Sequence, residues 1–431
     1  MSSPPLPSRH DPWQALRHRD YCLLLSAGLA TVIAGEAQAV VVGWEIYQRT
    51  GSAWMLGLAG LAQFFPVLLF ALPAGQLADR FSRKRQYQLA QLAAAACSLL
   101  LAWLSATRAD PWLFLATLFV AGIARAFSAP ARSSLLPQVV PLEVLPNAVA
   151  WNSSAWQLSN IGGPALGGLL LAVAPPWAAY LVGAGGGLLC ALLLAPIGPR
   201  EGIRFGAGRG WAGLTEGLGF VFSTPLLLSA LALDLFAVLL GGATALLPVF
   251  AEDILGASTV GLGLLRAAPA AGALVMAFLI AHRPLEKPGR AMMLSVVGFG
   301  LCTVAFGLSR DYWLSLSMLV LLGAMDNVSV VVRGTLVQTL TPDHMRGRVG
   351  AVNTVFISSS NELGAFESGA TAALFGPVAS VVGGGIGTIL VAGLVGWLAP
   401  ALWRLDARYG QKESVPAAQE LPNPPPSLQP P

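Results

Sequence analysis

The sequence predicts an all-α integral membrane protein with 12 transmembrane helices in two six-helix bundles around a central cavity. Of its 431 residues, 55% are hydrophobic and only 11% are charged, against roughly 25% charged residues in soluble domains. About twelve apolar segments are long enough to cross a bilayer, which takes roughly 20 residues. They lie near residues 21–48, 53–78, 86–107, 111–129, 147–173, 177–196, 225–250, 260–281, 291–308, 312–332, 349–375 and 378–397.

An internal repeat divides these segments into two halves. Five residues of the first half recur in the second at a constant spacing of 201 residues: Arg132, Pro141, Asn152, Asn160 and Gly163 recur as Arg333, Pro342, Asn353, Asn361 and Gly364. A parallel repeat of this kind places a substrate site between two bundles. The predicted organisation is a cytoplasmic segment 1–19, a bundle 20–197, a cytoplasmic linker 198–222, a second bundle 223–403 and a disordered Pro-rich tail 404–431.

The basic residues predict the orientation. With both termini cytoplasmic, Lys and Arg concentrate on the cytoplasmic side, and only Arg49, Arg108 and Arg310 fall outside. This asymmetry follows the positive-inside rule. The net charge of +4 therefore reflects topology, and the expected partner is the lipid bilayer of the inner (plasma) membrane, with no nucleic acid. We expect the first span to be retained, because no signal peptide precedes it.

A charged stretch separates the second and third apolar segments. It reads Gly75-Gln-Leu-Ala-Asp79-Arg80-Phe-Ser-Arg83-Lys84-Arg85, and so many charges must lie at the membrane interface. It resembles the signature loop between helices 2 and 3 of the major facilitator superfamily, with Ser82 where a second Gly is usual. The resemblance implies a gating loop in which Asp79 latches the outward-facing state with the help of Arg132. The gating residues are then Gly75, Asp79, Arg80, Arg83, Lys84, Arg85 and Arg132. Simple anchoring of the topology is the alternative explanation of the arginines.

The fifth segment carries a second motif, with Gly163, Pro164, Gly167 and Gly168. Small residues four apart let helices approach closely, and the proline bends the helix. The motif resembles the Gly-Pro-x-x-Gly-Gly pattern of the antiporter branches of the superfamily, which favours export over import. Polar side chains also follow one face of this segment, and the eleventh segment repeats the stripe. The stripe comprises Ser153, Gln157 and Asn160, and Thr354, Ser358, Asn361 and Ser368. Helix packing alone is the alternative explanation of these polar faces.

Charged residues inside the apolar segments need a partner or a function, because each costs about 2.5–3.5 kcal/mol at mid-membrane. They are Glu36, Arg125, Asp234, Arg266, Asp326, Glu362 and Glu367. The family resemblance implies that Glu36, Arg125, Asp234 and Asp326 line the cavity. Glu36, with Gln38 close by, is our first candidate for proton coupling and Asp234 the second. Static ion pairs are the alternative.

Three further stretches narrow the resemblance. Residues 129–141, 332–353 and 359–369 are similar to the enterobactin-exporter branch of the superfamily. The branch implies export of a siderophore-like or drug-like small molecule by proton antiport and alternating access. Alternatives are a broad multidrug or macrolide exporter, or a membrane sensor or scaffold that does not transport. We expect no enzyme activity, no metal and no cofactor, because the sequence contains no nucleotide-binding loop, metal cluster or nucleophile–base pair. We also expect that no oligomer is required.

Overall fold

The computed structural model describes residues 11–80, 82–141, 143–198, 210–283, 285–342 and 345–405. These ranges are helical, without a β-strand. The first half contains α1 Arg19–Thr50, α2 Ala53–Arg80, α3 Arg83–Ala106, α4 Pro111–Val139, α5 Leu145–Val173 and α6 Pro176–Leu194. The second half contains α7 Gly210–Ser223, α8 Pro225–Leu240, α9 Leu247–Val249, α10 Thr259–His282, α11 Pro288–Leu308, α12 Tyr312–Leu340, α13 Arg346–Phe375, α14 Pro377–Leu398 and α15 Pro400–Trp403.

All of these elements except α7 and α15 form the twelve predicted spans, with α8 and α9 in one span. Ten described segments are long and apolar enough to cross a membrane, including Pro225–Ile254, which contains α8 and α9. The other two, α5 and α13, have 29 and 30 residues, and their polar stripes lower their hydropathy. The predicted fold class is confirmed, with several helices longer than expected. For example, α4 continues to Val139, ten residues past its apolar segment.

Within each half, short turns join successive long helices, so neighbouring spans run antiparallel. We call the face where α1 begins and α14 ends the terminal face, and the opposite face, where α1 turns into α2, the distal face. Part of the predicted linker is helical, because α7 starts at Gly210. Residues 1–10, 199–209 and 406–431 lie outside the described residues, as does most of the predicted tail.

The buried apolar residues show where the two bundles meet. One cluster contains residues of both halves, among them Val41, Tyr180, Phe250 and Phe306. All of its members lie in the distal part of the helices. Toward the terminal face, each half has a separate core, around Tyr87 in the first half and around Met292 and neighbouring residues in the second. The bundles are therefore joined at the distal face and separated by a cleft toward the terminal face.

The charged stretch between α2 and α3 is mostly helical. Helix α2 runs to Arg80 and α3 begins at Arg83, so the turn is shorter than the eleven-residue motif. Ser82 caps α3, since its side chain accepts a hydrogen bond from the Arg85 backbone N–H. Serine is a favoured N-cap, which gives it a role where the family pattern has glycine. Gly75, Asp79 and Arg80 lie in the last two turns of α2, and the side chains of Asp79 and Arg80 lie outside the described part of the chain.

Candidate functional site

Four charged residues meet between the bundles. Arg125 Nη1 of α4 lies 3.6 Å from Glu362 Oε1 of α13, and the two side chains are 64% and 24% exposed. Glu362 also lies within electrostatic range of Arg266 on α10 and Glu36 on α1. Each bundle thus contributes one acid and one arginine. We call these four residues the charge cluster. Because Arg125 is exposed and also contacts the opposite bundle, its side chain must face the cleft.

The glycines of the fifth-span motif set the helix spacing beside this cluster. A Cβ built on Gly163 would lie 2.5 Å from the Cβ of Glu36, and one on Gly167 would lie 2.5 Å from the Ala37 carbonyl oxygen. These two glycines therefore allow α5 to pack against α1 at the level of Glu36. Pro164 lies between them, buried within α5.

The last glycine of the motif contacts the other bundle instead. A Cβ on Gly168 would lie 2.8 Å from the Cα of Gly263 on α10. A second crossing pairs α13 with α2, since a Cβ on Gly369 would lie 2.6 Å from the Cα of Gly57. Gly168 and Gly369 are again 201 residues apart. Both crossings lie in the distal halves of their helices and bring the two bundles into backbone contact there.

Polar side chains also join the bundles at the distal face. The Tyr47 hydroxyl of α1 donates to Asp253 Oδ2, and Gln48 Nε2 donates to Glu252 Oε1. Both acids lie in the short helical segment Phe250–Ile254, just beyond the apolar segment recognised in the sequence. We call these two pairs the distal gate. Our sequence analysis did not identify Glu252 and Asp253 as site residues. The signal that could have found them is a pair of acidic residues that closely follows Pro248 at the end of an apolar segment.

A second missed group is buried in the first bundle. Glu45 is only 3% exposed and pairs with Arg49. Its carboxylate accepts hydrogen bonds of 2.7 Å from Ser105 Oγ and from the Tyr180 hydroxyl. The Arg49 guanidinium, which we assigned to the exterior, also lies 4.8 Å from the Phe114 ring centroid. This satisfied network fixes the distal end of α1, one turn from Tyr47.

Three predicted cavity residues lie elsewhere. Gln38 faces the interior of the first bundle, where its Oε1 accepts a 2.8 Å hydrogen bond from Ser98 Oγ. Asp234 is 4% exposed and forms a buried ion pair with Arg333 of α12. Asp326 and Asp234 line the same small pocket within the second bundle. We predicted that these residues lie at the central cavity. In the structure, each side chain instead lies in the interior of its own bundle.

The basic residues near the α2–α3 turn mainly hold helix ends. Lys84 Nζ donates to the carbonyl oxygens of Ala195 and Ile197 at 2.6 and 2.7 Å, at the C-terminus of α6, where a cation is favoured. Arg83 Nη1 donates to the Ser134 carbonyl at 3.3 Å. Arg85 contributes its backbone N–H to the Ser82 cap.

Arg132 and most of the polar stripes lie on the terminal side of the charge cluster, whereas Ser368 lies on its distal side. Arg132 Nη2 donates to Asn152 Oδ1 at 3.2 Å, and the guanidinium lies against Gly28. On α5, Gln157 and Asn160 are half-buried; on α13, Asn361 is exposed and its Nδ2 donates to the Ile357 carbonyl at 2.9 Å. The Ser358 side chain is outside the described part of the chain.

Two six-helix bundles, joined at one face with ionisable side chains between them, define a multi-pass membrane transporter of the major facilitator class. The model of the family described as transmembrane secretion effector matches residues 10–425. The chain belongs to this family.

Similar proteins agree with that class. The chain is 27% identical over 392 residues to the enterobactin exporter EntS of Shigella dysenteriae serotype 1 (strain Sd197), covering 88% of this chain and 91% of that protein. EntS of Escherichia coli O1:K1 / APEC gives the same identity and coverage. These relatives are transporters and not enzymes.

Solved structures share the fold. A bacterial homolog of the human lysosomal transporter Spinster, in an inward-facing and occupied conformation, aligns with a TM-score of 0.73 at 16% identity, covering 90% of this chain and 99% of that chain. A D-xylose-proton symporter aligns with a TM-score of 0.69 at 16% identity, covering 90% and 98%. The predicted family and fold are confirmed.

Proposed function

We propose that this protein exports a siderophore-like small organic molecule across the inner membrane by proton antiport and alternating access. The observation that carries this proposal is the charge cluster, which lies in a cleft that is closed at the distal face. The 27% identity to enterobactin exporters supports the direction and the substrate class. With both termini cytoplasmic, as the positive-inside rule predicts, the cleft faces the cytoplasm, where such a substrate is made.

The cluster offers both functions that antiport needs. Arg125 is its most exposed member, at 64%, and a guanidinium binds carboxylates and catecholates by charge-assisted hydrogen bonds. We assign proton exchange to Glu36 and Glu362. Glu362 lies near Arg125, Arg266 and the like charge of Glu36, and this arrangement changes as the bundles move. A substrate anion competes with these carboxylates for the arginines, so substrate binding and proton exchange at the cluster are thermodynamically linked.

In an alternating-access cycle, the distal contacts form in one of the two states of the transporter and break in the other. The two glycine crossings and the distal gate close the exterior side in the present state. Opening them while closing the terminal face would expose the cluster to the exterior, where substrate leaves and protons bind. The role of Asp79 and Arg132 as a latch at the terminal face stays a prediction from the family resemblance.

The test is transport by the purified chain in proteoliposomes. A pH gradient, acidic on the side that corresponds to the exterior, should drive accumulation of a catecholate siderophore on that side, and collapsing the gradient with a protonophore should stop it. A macrolide or a cationic dye in parallel vesicles distinguishes the multidrug alternative. Failure of every substrate to move with the gradient would favour the sensor or scaffold.

A further inference from the structure

The seventh span is broken near its middle. Helix α8 ends at Leu240, Gly241 and Gly242 follow, and a short 3-10 turn covers Ala243–Leu246 before α9. Close packing fixes the break, because a Cβ on Gly242 would lie 2.8 Å from the Gly364 carbonyl oxygen of α13. The outer part of the span, 243–254, is therefore a separate segment joined to α8 by two glycines, which readily change backbone conformation.

One member of the charge cluster holds this segment. Arg266 Nη1 donates a 2.9 Å hydrogen bond to the carbonyl oxygen of Thr244, which also accepts from the Leu247 N–H of its own turn. Arg266 lies one turn from Gly263, where α10 contacts the other bundle, and within electrostatic range of Glu362. The Arg266 guanidinium thus lies near Glu362 in the cleft and also binds the outer segment.

The other end of the outer segment carries the distal gate. Glu252 and Asp253 accept the hydrogen bonds from Gln48 and Tyr47 of the first bundle. Movement of the segment at the Gly241–Gly242 break would therefore displace both gate acids together. Among the described residues, no other side chain donates to the Thr244 carbonyl, so Arg266 is the side-chain link between the cluster and this segment.

We propose that Arg266 is the positioning residue that couples the charge cluster to the distal gate. With the cleft empty, Arg266 holds Thr244 and the gate stays closed. An anionic group that enters the cluster offers Arg266 a charged acceptor that can take two parallel bonds from the guanidinium, in place of the single bond to the neutral Thr244 carbonyl. Arg266 then leaves Thr244, the outer segment is released, and the gate opens. The proposed coupling depends on the proposed export function only for the identity of that anion.

The experiment measures the opening of the distal face between the two bundles in the full chain. The four native cysteines (Cys22, Cys97, Cys190 and Cys302) are replaced, and spin labels are attached at Thr107→Cys and Val260→Cys, two exposed distal positions, one on each bundle. The distance distribution is recorded in lipid nanodiscs without substrate. Arg266→Gln should raise the population with long distances about tenfold or more, as expected for loss of one hydrogen bond that involves a charged group.

Arg125→Gln is the matched control, because it removes the same charge beside Glu362 but has no contact with Thr244. Its distance distribution should stay close to that of the unsubstituted chain. Equal opening in both variants would mean that the cluster charge, and not the Thr244 contact, controls the gate. No opening in Arg266→Gln would also overturn the proposal.

Arg266→Lys provides a second variant if Arg266→Gln is not recovered from membranes. Lysine keeps the charge but cannot bond Thr244 and Glu362 with the fixed geometry of a guanidinium, so partial opening is expected and an unchanged distribution contradicts the coupling. Adding 2,3-dihydroxybenzoate, a small catecholate, should open the unsubstituted chain. If Arg266→Gln opens the gate but this anion does not, the coupling stands and the proposed substrate class is wrong.

Discussion

Gly168 of α5 and Gly263 of α10 bring the backbones of the two bundles into direct contact. A Cβ on Gly168 would lie 2.6 Å from the Thr259 carbonyl oxygen and 2.8 Å from the Gly263 Cα. Real Cβ atoms do not approach other atoms so closely, so any larger residue must separate the helices. The motif that resembles an antiporter signature therefore helps to close the distal face through Gly168.

We predict that Gly168→Ala moves the protein toward a state that is open at the distal face and lowers export at least tenfold. The cause is steric, since packed helices cannot absorb an added methyl at this distance. The spin-label pair at residues 107 and 260 measures the opening. Gly162→Ala, directly before the motif in the same helix, is the control, because a Cβ there meets nothing within 4 Å. Equal effects in both variants would contradict the steric explanation.

Asp234 and Arg333 form a buried ion pair, and Ser329 Oγ adds a 3.0 Å hydrogen bond to Asp234 Oδ1. We predict that Asp234→Asn destabilises the protein by about 3–5 kcal/mol, because it leaves a buried guanidinium without its counter-charge. The double variant Asp234→Asn, Arg333→Gln should recover most of the loss. Thermal unfolding of the purified protein in detergent checks both; a double variant no more stable than Asp234→Asn would refute the ion-pair explanation.

Tyr47→Phe should weaken the distal gate without disturbing either bundle. It removes one hydrogen bond to a carboxylate, worth about 1.5–3 kcal/mol, so the distal-open population should rise about tenfold or more. Tyr312→Phe is the matched control, since the Tyr312 hydroxyl bonds the Gly261 carbonyl within one bundle at 3.1 Å. The same distance measurement decides the outcome, and opening in the control alone would remove the gate from the mechanism.

Glu36→Gln should abolish proton-driven export while the protein stays in the membrane, because a neutral amide cannot exchange a proton. Uptake of substrate into everted vesicles, with and without a pH gradient, is the measurement. Glu367→Gln serves as a control: Glu367 is an intramembrane acid of α13 that lies outside the charge cluster. Export by Glu36→Gln at the unsubstituted rate would exclude Glu36 from coupling.

The repeat predicted equivalent positions correctly but not equivalent contacts. Arg132 and Arg333 are 201 residues apart, as are Asn152 and Asn353. In the first half, Arg132 donates to Asn152. In the second half, Arg333 pairs with Asp234, and Asn353 Oδ1 is buried with no hydrogen-bond partner among the described residues. One additional carboxylate on α8 changes which bond forms, and a sequence repeat cannot show that.

The sequence by itself determined the helix count, the division into two bundles and the family, because apolar length and repeated motifs are local properties of the chain. It also identified Glu36, Arg125, Arg266 and Glu362 as intramembrane charges that need partners. Only the tertiary structure decided that these four meet, that Asp234 and Gln38 turn inward, and that Tyr47 and Asp253 close one face. Those outcomes depend on helix rotation and on contacts between residues up to about two hundred positions apart, and apolar periodicity contains no information about either.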